Sequence, residues 1–164
     1  MSRRLPSPAP SLESFAVLRS EHRYVAFVNG PRPRNIMSNR DVPGYVFLNG
    51  RAYGFERATG RRLWTTDLNQ LGLQLDQPTE TPVLPLIYRS YGRGGIKTDL
   101  ALFDVRTGRI LHQEISKSAS SRETRTEFDP AKGEVRVETS FRDYTIRLTD
   151  EPAGDPVVTD QPRP

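Results

Sequence analysis

Two histidines, His22 and His112, are the whole imidazole supply of this 164-residue chain. Neither has a second histidine or an acid at ligand spacing on its own element, so metal binding and general-base chemistry find no partner set. His22, in Ser20-Glu21-His22-Arg23, reads as a solvated turn residue. With no cysteine in the sequence, a thiolate metal site and a disulfide framework are both excluded. A serine nucleophile would need an elbow such as Gly-x-Ser-x-Gly, and the chain has none. Gly92-Arg93-Gly94-Gly95 ahead of Lys97-Thr98 has the composition of a phosphate loop without its spacing. A strand follows it where that motif needs a helix, so a flexible hairpin is the expectation. Arg32, Arg34 and Arg40, near Asn35 and Asn39, form one loop able to hold an anion, against the plainer reading of a solvated polar loop. No residue earns a catalytic, cofactor-binding or metal-binding role, and no cofactor is expected.

The elements that would position any such group are announced by a phrase that occurs twice. Phe55-Glu56-Arg57-Ala58-Thr59-Gly60-Arg61-Arg62-Leu63 returns as Phe103-Asp104-Val105-Arg106-Thr107-Gly108-Arg109-Ile110-Leu111, 48 residues later. A recurrence near 50 residues is the spacing of propeller blades. Each copy reads as a turn between antiparallel strands, with Gly60 and Gly108 at a positive-φ position closed to side chains. Glu56 or Asp104 can hold the exposed N–H groups of the loop, and Thr59 or Thr107 can add a second local bond. Phe55, Leu63 and Trp64, with Phe103 and Leu111, are expected to pack between neighbouring sheets.

Composition sets the frame for that unit. The chain is long enough for one ordinary domain and short for a complete ring of four-stranded blades. Its formal charge of +4 and pI of 9.7 invite a nucleic-acid reading. Yet 21 of the 24 basic residues are arginines, spread from Arg3 to Arg163 with acids between them, whereas a nucleic-acid footprint gathers charge on one face. Residues 1–12 and 150–164 are rich in proline and polar residues and are expected to be disordered tails around a domain at 13–149. The opening decapeptide has positive charge with no apolar run behind it, and no stretch reaches membrane-spanning length. The expectation is an unexported, cytoplasmic chain without membrane insertion; the envelope or periplasm is the alternative for a longer polypeptide whose signal lies upstream.

Between the tails, short apolar runs and alternations are punctuated by Gly, Pro, Asn and Asp, which predicts an all-β fold of about eleven strands in consecutive antiparallel meanders. Strand 45–48 is expected to reach strand 52–55 through a tight Asn49-Gly50 hairpin. The last meander is expected to turn at Asp129-Pro130-Ala131-Lys132-Gly133.

The turn phrase carries a family resemblance. Glu56 through Trp64 resembles the Asp-x-x-Thr-Gly-Lys/Arg-x-x-Trp repeat of pyrroloquinoline-quinone-type (PQQ-like) β-propellers, with Glu for Asp. The second copy departs once, with His112 at the Trp position, which would place His112 at an interface between blades. Leu73 through Pro85 and the closing Asp129–Leu148 stretch are similar to the C-terminal end of long, uncharacterised repeat proteins, including ones from planctomycete-type bacteria. The resemblance spans roughly Tyr45 to Asp150 and implies two to three blades, a partial propeller. Quinone chemistry does not come with it, because that family's dehydrogenases bind the quinone at the axis of a whole ring, many with a vicinal disulfide.

The functional expectation is therefore a non-catalytic structural or interaction module that pairs with further blades, with copies of itself or with a partner protein. The alternative is a basic nucleic-acid-binding β domain, suggested by neighbours such as Arg89-Ser90-Tyr91 and Phe141-Arg142-Asp143-Tyr144. An enzyme is the third reading.

Overall fold

A computed structural model describes residues 14–30, 45–75, 78, 80–92, 95–116, 124–139, 142–148 and 157–162. The loop carrying Arg32, Arg34 and Arg40 and the expected tail at 1–12 lie outside the described residues. The fold is all-β. Its strands are β1 (Ser14–Arg19), β2 (Arg23–Asn29), β3 (Tyr45–Glu56), β4 (Arg62–Gln74), β5 (Val83–Gly92) and β6 (Gly95–Asp104). They continue with β7 (Arg109–Ser116), β8 (Arg125–Asp129), β9 (Glu134–Glu138), β10 (Arg142–Arg147) and β11 (Val157–Pro162).

Every strand pairs antiparallel with its sequence neighbour, giving one sheet in the order β1 to β7 and another in the order β8 to β11. Among the described residues neither sheet closes on itself. The larger sheet is continuous across β4 and β5 through a single residue pair, Leu73↔Leu86. It therefore consists of two meanders, β1–β4 and β5–β7, and β8–β11 is the third.

The alternation of side chains decides how these meanders stack. In β2, Val25 and Phe27 point into the core while Tyr24, Ala26 and Val28 lie half-buried on the other face. β5 and β6 have no polar alternation: Val83-Leu84-Pro85-Leu86 and Leu100-Ala101-Leu102-Phe103 are continuous apolar runs. Such runs suit a strand buried on both faces. Leu84, Leu86, Ala101 and Phe103 join Val25, Phe27, Leu48 and Ala52 in one core. Val83, Leu100 and Leu102 join Val135, Val137, Tyr144 and Ile146 in a second. The middle meander is thus sandwiched between the other two. Each buried leucine contributes about 1.5–3 kcal/mol through removal from water, so this two-sided burial is the main cohesive term.

Two sequence expectations are corrected. Asn49-Gly50 makes no hairpin; β3 runs unbroken from Tyr45 to Glu56, with a register shift between Leu48 and Gly50. The buried Asn29 side chain spans the irregularity, its Nδ2 donating to the Phe47 carbonyl at 2.8 Å and its Oδ1 accepting from the Asn49 N–H at 2.9 Å. Gly50 is present for close approach: a Cβ there would lie 2.2 Å from the Val28 carbonyl oxygen. A β-bulge uses the same small residues as a tight turn, and the sequence signal is shared.

The second correction concerns 150–164. Within that expected tail, Val157–Pro162 forms β11, antiparallel to β10 with Val158 opposite Ile146 and Asp160 opposite Tyr144. Val-Val-Thr is too short to make a layer, but its β-branched residues suit an edge strand. An edge also tolerates the proline that ends it. The merged β3 and the added β11 offset each other, which is why the expected strand number still matches.

Candidate functional site

The repeated phrase folds into two closely similar turns. The N–H of Gly60 donates to the Glu56 carbonyl at 2.8 Å, and that of Gly108 to the Asp104 carbonyl at 2.8 Å. Both glycines have positive φ, 70° and 74°. Equivalent neighbours also donate outward: Arg57 N–H to the His22 carbonyl at 3.0 Å, and Val105 N–H to the Pro82 carbonyl at 2.9 Å.

The acids serve the turns by different means. Asp104, 1% exposed, accepts from the Arg106 N–H at 2.8 Å and takes the Arg106 guanidinium at 3.0 and 3.1 Å. Glu56 instead accepts from the Thr59 hydroxyl at 2.5 Å, and this bond, helped by Arg61, holds its carboxyl below the usual glutamate range. Thr59 and Thr107 accept from the N–H groups of Arg61 and Arg109 at 3.2 and 3.4 Å. A third turn of this kind joins β8 to β9: Asp129 Oδ1 accepts from Ala131 and Lys132, and Gly133 has φ 60°. These side chains hold their own loops.

Trp64 connects the first meander to the second. Its indole lies between two glycines, so that a Cβ on Gly54 would stand 2.2 Å, and one on Gly108 2.5 Å, from indole carbons. It meets Phe103 edge-on with ring centroids 5.5 Å apart, and Thr66 Oγ1 donates to the Gly108 carbonyl at 2.5 Å. His112, at the Trp position of the second copy, also reaches the next sheet, its ring 5.5 Å from that of Tyr144. Here the contact has a polar rim. The Tyr144 hydroxyl donates to Glu114 Oε2 at 2.7 Å, Arg142 Nε lies 3.1 Å from Glu114 Oε1, and Arg142 also pairs with Asp160. Burial, reinforced by the Glu114 carboxylate, pushes the Tyr144 hydroxyl well above the ordinary tyrosine range.

A groove of about 1240 Å³ opens where turns of the three meanders meet. Arg19, His22, Arg23 and Arg57 line one side, Glu80 and Glu127 are also present, and Val105, Phe128 and Leu148 add apolar surface. Arg57 donates to the Glu21 carbonyl at 3.2 Å, and Glu80 accepts from the Glu21 N–H at 3.1 Å. Arg57 and Glu80 are thereby committed to the loop at Glu21, and basic and acidic side chains share the lining. Among the described residues no group of three His, Asp or Glu could hold a metal ion.

The surfaces at the two ends of the stack differ in kind. On the outer face of the first meander, cross-strand register puts Phe15 beside Val28, Val17 beside Ala26, Ala26 beside Tyr53 and Tyr24 beside Phe55. Phe15 and Val17 are 67% and 52% exposed, and the rings of Tyr53 and Phe55 stack at 6.4 Å. On the outer face of the third meander stand Arg125, Glu127, Glu134, Arg136 and Arg147. Arg125 pairs with Glu127 at 2.7 Å, and Glu134 with Arg136 at 2.8 Å and Arg147 at 3.6 Å. Arg136, first, and then Arg147 hold the Glu134 carboxyl below its ordinary range. Of this apolar face the sequence reading named only Phe55, expected between neighbouring sheets, although the unbroken apolar run Phe15-Ala16-Val17-Leu18 carries the signal: a strand that packs Ala16 and Leu18 inward turns Phe15 and Val17 outward. No protein-family model matches the chain, and no curated protein matches it.

Proposed function

We propose that this chain is a non-catalytic structural and interaction module that receives another β-sheet on the outer face of β1–β3. On this reading its meanders are two to three blades of a PQQ-like propeller, and the first blade lacks its neighbour. One observation carries it: the two copies of the repeat present equivalent faces with unequal cover. Phe103 is wholly buried beneath Trp64 and Phe27, while its equivalent 48 residues earlier, Phe55, is only half-buried. Gly108 is covered by Trp64, while a Cβ on Gly60 would meet nothing within 4 Å. A contiguous apolar face rimmed by polar residues marks an interaction surface.

The test is the binding of an apolar-surface dye to the folded chain, compared with the Phe15→Arg variant. Binding that the arginine reduces by half or more is the expected result. A folded chain that binds no dye and stays monomeric at all concentrations would remove the basis of the proposal.

A further inference from the structure

We infer that the sheet covering this face is the same face of a second copy of the chain, related by a two-fold axis. This rests on the interaction reading above and names its partner. The unlike ends of the stack lead to it. A copy adding head to tail would bring the outer face of β8–β11 against the apolar face and strip water from the Glu134–Arg136 and Arg125–Glu127 pairs. Desolvating such pairs against an apolar surface is unfavourable, because nothing on that surface replaces the lost water. The apolar face, by contrast, is complementary to itself.

Its chemistry suits an isologous contact. Phe15, Val17, Tyr53 and Phe55 supply the apolar and aromatic surface, with Ala26 at the middle of the row Val17–Ala26–Tyr53. The charged residues of the same face stand at its corners: Arg19 at the end of β1, opposite Tyr24, and Arg51, opposite Asp67 on β4 and paired with it at 2.9 Å. A face-to-face contact centred on Val17, Ala26 and Tyr53 leaves these charges at its rim, in reach of water. Three strands about 4.8 Å apart, each contributing about five residues, give roughly 240 Å² of projected face per copy. That places the contact at the small, reversible end of protein interfaces. An isologous contact uses the face on both copies and so closes at two.

The experiment combines light scattering over a concentration series with thiol cross-linking of the full chain, whose lack of cysteine makes any introduced thiol unique. The expected result is a concentration-dependent dimer whose dissociation constant rises at least tenfold in Phe15→Arg. A short bifunctional thiol reagent is expected to join two Ala26→Cys chains and not two Thr145→Cys chains, Thr145 lying on the outer face of β10. Phe15 is mostly exposed, so its replacement leaves the core intact, and cross-linking gives a second readout. A dimer indifferent to Phe15→Arg, or one joined through position 145, overturns the inference. A strictly monomeric chain whose dye binding still depends on Phe15 overturns the second copy alone, whereas a monomer without dye binding overturns the interaction reading with it.

Discussion

Replacing Gly108 with alanine puts a methyl group where the Trp64 indole already lies. The added Cβ would stand 2.5 Å from Trp64 Cε3 and 2.8 Å from Thr66 Oγ1, and the backbone there has φ 74°. The left-handed conformation alone disfavours a side chain by about 1–2 kcal/mol. Forcing an extra methyl into a packed contact adds about 1–3 kcal/mol. Gly60 isolates the first effect, since it has φ 70° and open space around it. Gly60→Ala is expected to lose about 1–2 kcal/mol and Gly108→Ala about 2–5 kcal/mol. At about 2–4 °C per kcal/mol for a chain of this size, the second variant melts markedly lower than the first. Thermal and urea unfolding followed by tryptophan fluorescence reads the contact directly, because Trp64 is the only tryptophan. In a Trp64→Ala background, followed by circular dichroism, Gly108→Ala should lose most of its excess cost over Gly60→Ala, with only the Thr66 hydroxyl left in contact. Equal losses at Gly60 and Gly108 in the unmutated background would refute the idea that the indole seats on the second turn.

Two charge-dependent effects follow from the same geometry. The raised Tyr144 hydroxyl favours the protonated form in the folded state, so its contribution is complete below the ordinary tyrosine value of 10.0 and is lost as pH rises above it. Tyr144→Phe should therefore flatten the fall of melting temperature between pH 10 and 12; an unchanged alkaline slope would exclude Tyr144 as its source. The lowered Glu134 carboxyl acts in the opposite direction: its contribution is complete above the ordinary value of 4.5 and is lost as pH falls through its lower folded value. Glu134→Gln should make stability less sensitive to acid and to added salt, measured as melting temperature from pH 6 down to pH 3.

The fold class was legible because its signals are local. Acid-x-x-x-Gly turns at Glu56 and Asp104, and short unbroken apolar runs at Phe15, Val83 and Leu100, each state their own structure. Asn49-Gly50 was not legible, because a bulge and a tight turn want the same residues, and the deciding partner, Asn29, comes from another strand. β11 was hidden for a related reason: Val157-Val158-Thr159 gains its order from the edge of β10 rather than from any core of its own. For the site, the repeat could be read but not its cover. That Gly108 carries an indole and Gly60 carries nothing depends on which meander lies above which, and spacing along the chain holds no such information. The same limit applies to His112, whose Tyr144, Glu114 and Arg142 neighbours come from strands of both sheets.

The lone Leu73↔Leu86 pair between β4 and β5 bears on how this molecule opens. Cooperative units of opening follow continuous backbone ladders and dense cores. Here the ladder is nearly interrupted between the first and second meanders, so their mutual dependence rests on side chains: Trp64 against Phe103, Phe27 against Phe103, and the leucines around them. Side-chain contact weakens with temperature and denaturant differently from a hydrogen-bonded ladder, and it can be dissolved by a few substitutions without unpicking any strand. The boundary between the first meander and the rest of the chain is thus a seam, along which unfolding can begin while both flanking sheets keep their own hydrogen bonds.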